Sequence, residues 1–137
     1  EVLHHNYVLK IDTEAGILAD IALNQIIPAA VEYMNKLAGN IKGLKEVGVS
    51  ANATKAQKDI LTEIAVRVNN IKAAVDKLAV AREKAHHAES NAVASKNYCD
   101  KVKPFFDEIR ENVDAIEALV DDSSWPLPKY REMLFIR

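Results

Sequence analysis

The chain has 137 residues, 49% of them apolar and 28% charged, a length and balance that suit one domain able to bury a core without staples. Its 18 basic and 20 acidic residues leave a net charge of −2, and no basic block stands apart, which argues against a nucleic-acid partner. The apolar runs are short and broken by charge, Glu1 to Lys10 lacks a signal-peptide pattern, and the lone Cys99 cannot close an internal disulfide, so the expectation is a cytoplasmic chain with no membrane span.

Twenty alanines against four glycines and four prolines favour helix, because Ala loses no side-chain entropy there while Gly and Pro disrupt helix interiors. The chain opens on Glu1 rather than Met, inside a helical pattern. It therefore reads as a piece of a longer chain, one helical C-terminal domain over residues 1–137.

The first helix is predicted over about 7–47. Ile11, Leu18 and Ala22, then Ile26, Ala30, Tyr33, Leu37, Ile41 and Leu44, form one apolar face at helical spacing. Pro28 cannot donate to the carbonyl of Asn24, and its ring crowds that turn, so the helix is expected to bend there. Gly39 and Gly43 weaken the later turns. Gly48 stops the helix, with Lys45 in the last turn to suit the helix dipole.

Residues 48–53 connect to a second helix over about 54–88. Thr54 and Gln57 have capping-box spacing: the hydroxyl can accept from the backbone three residues on while Gln57 reaches back. Leu61, Ile64, Val68, Ile71, Val75 and Leu78 step alternately by three and four, a seam suited to shallow-angle packing. Lys58, Glu63, Arg67, Lys72 and Asp76 fall off it.

The third helix is predicted over about 90–120, capped by Ser90. Its seam is Cys99, Val102, Phe106, Ile109, Val113, Ile116 and Val120, with a local bend at Pro104. Asp121 to Ser124 form a polar stop. Trp125-Pro126-Leu127-Pro128 must be extended or turned, because residues before proline avoid the α region. The tail, 121–137, holds Trp125, Tyr130, Met133, Leu134 and Phe135, and Trp125 and Leu134 are expected to pack against the bundle or an upstream domain. No strand-like alternation of useful length occurs. The fold class is therefore all-α: a long antiparallel up-down bundle of three main helices with a docked C-terminal tail.

Residues able to support chemistry are scattered. The adjacent pairs His4-His5 and His86-His87 point about 100° apart on a helix, so neither chelates as an i, i+4 pair would. Asp107, Glu108, Glu111 and Asp114 make a solvated acidic face, and no Glu-x-x-His motif accompanies them. Cys99 lies on an apolar seam with no base identifiable beside it, which suits a buried structural thiol. Tyr7, Tyr33, Tyr98 and Tyr130 read as core or interface aromatics. No phosphate-binding glycine loop is present. The expected set of catalytic, cofactor-binding and metal-binding residues is therefore empty.

Two segments carry a resemblance that periodicity does not supply. One runs from Tyr7-Val-Leu-Lys-Ile-Asp-Thr-Glu-Ala-Gly16 through Ile26-Ile27-Pro28-Ala29-Ala30. The other is Asp121-Asp122 followed by Trp125-Pro126-Leu127-Pro128-Lys129-Tyr130-Arg131-Glu132-Met133-Leu134-Phe135-Ile136-Arg137. Both resemble the C-terminal end of type III glutamine synthetases, the large bacterial form. The likeness extends in order over the whole chain, through Tyr98-Cys99-Asp100 and Val102-Lys103-Pro104, and is weakest from Lys55 to Ala88. The resemblance implies a parent ligase that joins ammonia to glutamate with ATP and a divalent metal such as Mg. It also implies upstream domains holding the metal carboxylates, the nucleotide site and the glutamate-binding arginines, and a ring-shaped homo-oligomer. None of those motifs falls on a position of this chain. The implied function is a non-catalytic structural or assembly domain of that ligase; the alternative is a free-standing helical interaction or sensor-linked module.

Overall fold

The computed structural model describes residues 2–87, residue 96 and residues 98–127. It is built from three helical rods laid antiparallel. The first joins α1 (Val2–Ile21) and α2 (Ile27–Glu46) through a π turn, Ala22–Ile26. A short 3-10 turn, Ala51–Thr54, leads into α3 (Lys55–His86), the longest helix. A second π turn, Tyr98–Val102, opens into α4 (Lys103–Leu119). All described elements are helical, so the all-α bundle read from the periodicity is the fold observed.

Both internal prolines are accommodated the same way. Pro28 and Pro104 each sit in the first turn of an α-helix, immediately after a five-residue π turn. In the first of these turns the Ile27 N–H reaches the carbonyl of Ala22, five residues back. Proline's ring clashes with the carbonyl four residues earlier, and its missing N–H leaves that carbonyl without a donor. The wider π turn holds that carbonyl, Asn24 or Asp100, in each case. The expected interruption at Pro28 thus falls one turn ahead of the proline, and the chain stays helical across it.

Gly48 ends α2 with φ of 89°, a left-handed conformation that L side chains rarely adopt. Its N–H donates to Lys45 O at 3.1 Å and the Val49 N–H to Leu44 O at 2.9 Å, the paired bonds of a Schellman motif. Gly39 and Gly43 have no such duty. Both lie exposed in α2, and an added methyl at either would meet nothing within 4 Å. Replacing each with Ala removes backbone freedom from the unfolded chain. The Gly39→Ala/Gly43→Ala double variant is expected to gain about 1–2 kcal/mol, read as a raised midpoint in urea; a lowered midpoint would contradict the open packing here.

The capping box expected at Thr54 is not formed. Thr54 is buried, and its hydroxyl donates back to the carbonyl of Ala51 at 3.0 Å. The side-chain oxygen of Gln57 instead accepts from Asn40 Nδ2 at 2.6 Å, tying α3 to α2. The 3-10 turn explains the difference: it places an acceptor one turn behind the hydroxyl before the helix has begun.

One contiguous core runs through the bundle. Ile64, Ile71 and Leu78 from α3, Ile109 and Ile116 from α4, and Val102 just before α4 are its largest fully buried side chains beside Ile26. Each trio repeats every seven residues. Arg67 and Asn112 are joined by a hydrogen bond, and in antiparallel helices that register sets Ile64 level with Ile116, Ile71 with Ile109 and Leu78 with Val102. Ala15, Ala22, Ile26 and Ala30 of the first rod complete the core. Leu61, Val68, Phe106 and Val113 are only half-buried, while Ala74, Ala81 and Ala85 are buried. Small residues thus continue the α3 seam toward its C-terminal end.

The expectation of uniformly short, charge-broken apolar runs needs correction in the first rod. Residues Lys10–Glu46 include an 18-residue window of mean hydropathy 1.3, long and apolar enough by composition to cross a membrane. Asp20 is the one charged residue from Ala15 to Val31. Four residues of this rod sit in the common core with α3 and α4, while only 28% of the apolar window is buried within the bundle. The Ser90 cap, Tyr130 and Leu134 lie outside the described residues, as do the side chains of His4, His5, Tyr7, Tyr98 and Cys99.

Candidate functional site

The most buried polar side chain on the α3–α4 interface is Asn112, 3% exposed. It lies among Ile109, Val113 and Ile116, so the stripe that buries these apolar residues draws it inward as well. Its oxygen accepts from Arg67 Nη1 at 3.2 Å and from Asn70 Nδ2 at 3.2 Å, and its own amide donates to the carbonyl of Glu108 at 2.8 Å. Glu63 steadies the guanidinium from one turn away at 3.0 Å. An amide satisfied on both sides costs little to bury, and it has no nucleophile or labile proton near neutral pH. The network ties the two helices in register.

A second polar group ties the first rod to the far end of α3. Arg82 Nε donates to Asp12 Oδ1 at 2.9 Å, and His86 Nε2 lies 3.1 Å from the same oxygen. The guanidinium lies over α1 beside Gly16, where an added Cβ would stand in ordinary contact, 3.4 Å from Arg82 Nη2. His86 and His87 are both exposed, and they diverge as adjacent helical residues must, with His87 paired to Glu83 at 2.8 Å. The tertiary partner of His86 was invisible to local spacing, since Asp12 stands 74 positions away.

The acidic residues of α4 also disperse. Asp107 pairs with Lys103 at 3.0 Å, and Glu111 and Asp114 face solvent. Past the end of α4, the Asp121 carboxylate accepts from the Ser123 N–H at 3.0 Å and the Ser123 hydroxyl at 2.8 Å. Those two donors hold its carboxyl below the ordinary value of 3.8, with Lys36 adding to the effect against the opposing pull of burial and Asp122. The turn is fully held above the ordinary carboxylate range and loosens as pH falls through that depressed value. Among the described residues no group of three or more His, Cys, Asp or Glu side chains is placed to hold a metal ion.

The comparisons with known proteins supply what the geometry does not. Residues 1–45 match a family model described as the glutamine synthetase C-terminal domain. Over its whole length the chain is 36% identical, across 140 residues, to a glutamine synthetase of Bacteroides fragilis (strain YCH46). By these matches the chain is similar to glutamine synthetases, and over residues 1–45 to their C-terminal domain. It is also 29% identical, across 142 residues, to a type-3 glutamine synthetase of Dictyostelium discoideum, again over the whole chain. The chain spans 19% of the length of each of these two relatives. The matched family region covers the first rod, including the Tyr7–Ala30 segment on which the resemblance was first read. In this chain polar contacts tie helix to helix at both ends and at the middle of α3.

Proposed function

We propose that this helical domain is the non-catalytic C-terminal part of a glutamine synthetase, where it serves structure or assembly. The observation that carries the reading is its match, end to end, to proteins about five times its length that are named for making glutamine. The parent reaction would be ATP-dependent ligation of ammonia to glutamate, with a divalent metal such as Mg. ATP, metal and glutamate would bind in the part of the parent that this chain does not match. The dispersal of ionisable groups into contacts that tie helix to helix and into pairs within one helix supports that division. A cytoplasmic, homo-oligomeric parent, with the upstream catalytic domain as the bundle's first partner, completes the proposal. The isolated chain is expected to form no glutamine from glutamate, ammonia and ATP. Removing the corresponding region from the Bacteroides relative is expected to change the number of subunits per particle, read from the light-scattering mass divided by the truncated subunit mass. Turnover by the isolated chain, or a truncated relative unchanged in both subunit number and activity, would overturn the proposal.

A further inference from the structure

An open groove of about 550 Å³ runs between α3 and the start of α4. Val80, Ala81 and Phe105 give it an apolar lining, and Lys77, Lys84 and Lys101 stand around it. Asp76, also on its wall, is engaged by Lys72 at 2.6 Å. Among the described residues none of the three groove lysines has an ion-pair partner. The groove thus joins apolar surface open to water with uncompensated positive charge. Val80 is 56% exposed.

The exposed apolar surface continues along α3 beyond the groove. Val66, 48% exposed, and Ala73 precede Val80 at seven-residue intervals. Seven residues return to nearly the same side of a helix, so the three form one line about 21 Å long. Lys77 and Lys84 repeat at the same interval, about 10.5 Å apart along the axis. A small anion would use one lysine and one apolar contact, leaving this line uncovered. A helix lying along α3 would cover all of it.

We propose that the groove receives an acidic amphipathic helix from a protein partner. Its apolar stripe would lie on Val66, Ala73, Val80 and Phe105, and carboxylates seven residues apart would meet Lys77 and Lys84. The docked helix removes the valines from water, while the charges select the partner and its register.

The test titrates the protein with a fluorescently labelled three-heptad helical peptide carrying a leucine stripe flanked by glutamates. Its counterpart carries lysines in place of the glutamates. The glutamate peptide is expected to bind saturably. The Lys77→Glu/Lys84→Glu variant should weaken that binding about tenfold or more, a loss of roughly 1.4 kcal/mol per factor of ten. Val80→Asp should weaken it comparably, and Val31→Asp, on α2, should leave it unchanged. The affinity should fall as salt rises, because exposed charge pairs are screened. Equal melting temperatures would show that the exposed-lysine variants are folded. The proposal is overturned if both peptides bind alike, if neither binds, if the charge reversal has no effect on affinity, or if the groove takes oleate and not the glutamate peptide.

Discussion

Replacing Trp125 with alanine is expected to cost about 3–5 kcal/mol, the range for truncating a large buried aromatic. The ring is 7% exposed and belongs to the common core. It reaches that position because the backbone turns extended at Val120, with ψ of 143°, and then folds back. Asp121 and Ser123 close the turn, and Lys36 of α2 holds its outer side through Ser124 Oγ at 3.3 Å. Among the described residues the indole Nε1 is buried without a hydrogen-bond partner. The ring's contribution from these residues is packing. Trp125→Phe should keep most of the packing and remove the unpaired donor, for a cost of about 1 kcal/mol or less. Far-UV circular dichroism in urea would compare the two, since the only tryptophan is lost in both. An unchanged midpoint for Trp125→Ala would remove the tail from the core; a Phe variant as weak as the Ala variant would mean that the N–H matters after all.

That placement shows which parts of the fold can be read from one chain. Helix existence and the core faces were legible because burial repeats with helical period: Ile64, Ile71 and Leu78 face the core, as do Val102, Ile109 and Ile116. The docking of Trp125 was legible because a large apolar ring in a polar stretch needs a place out of water. The two π turns were not, because the sequence shows only a proline inside an apolar pattern, which suits a kink, a break or a widened turn alike. The Thr54 capping box failed for a related reason. Thr54 and Gln57 have the required spacing, but the hydroxyl found an acceptor in the preceding 3-10 turn and Gln57 found Asn40.

The polar network at Asn112 was missed although a signal existed. Asn112 precedes Val113 on the α4 seam, and positions 109, 112 and 116 share a helix face as well as 109, 113 and 116 do. A polar residue on such a face predicts partners on the neighbouring helix, here Arg67 and Asn70. Asp12 with Arg82 and His86 is different. No local pattern pairs residues 70 and 74 positions apart; only the antiparallel arrangement of the first rod and α3 brings them together. The likeness to glutamine synthetases was likewise read from segment resemblance, because helical periodicity is shared by many unrelated bundles.

Ile71→Ala is expected to cost about 2–5 kcal/mol, the second large effect in the bundle. Ile71 is fully buried at the middle of the longest helix. Truncation removes three methyl or methylene groups and leaves space that two packed helices cannot easily close. The register set by Arg67 and Asn112 makes Ile109 the opposing residue, so the two truncations should not add. A double-mutant cycle with Ile109→Ala should show a coupling of about 0.5–3 kcal/mol, as for residues in contact. Ile71→Ala paired with Val31→Ala, an exposed change on α2, should be additive within about 0.5 kcal/mol. Urea melts of the five variants and the unsubstituted chain supply every term. Additivity for Ile71 with Ile109 would mean that α3 and α4 meet in another register. The same shift would part Arg67 from Asn112, leaving a buried amide without its partners, which is why the apolar layers and the polar network stand or fall together.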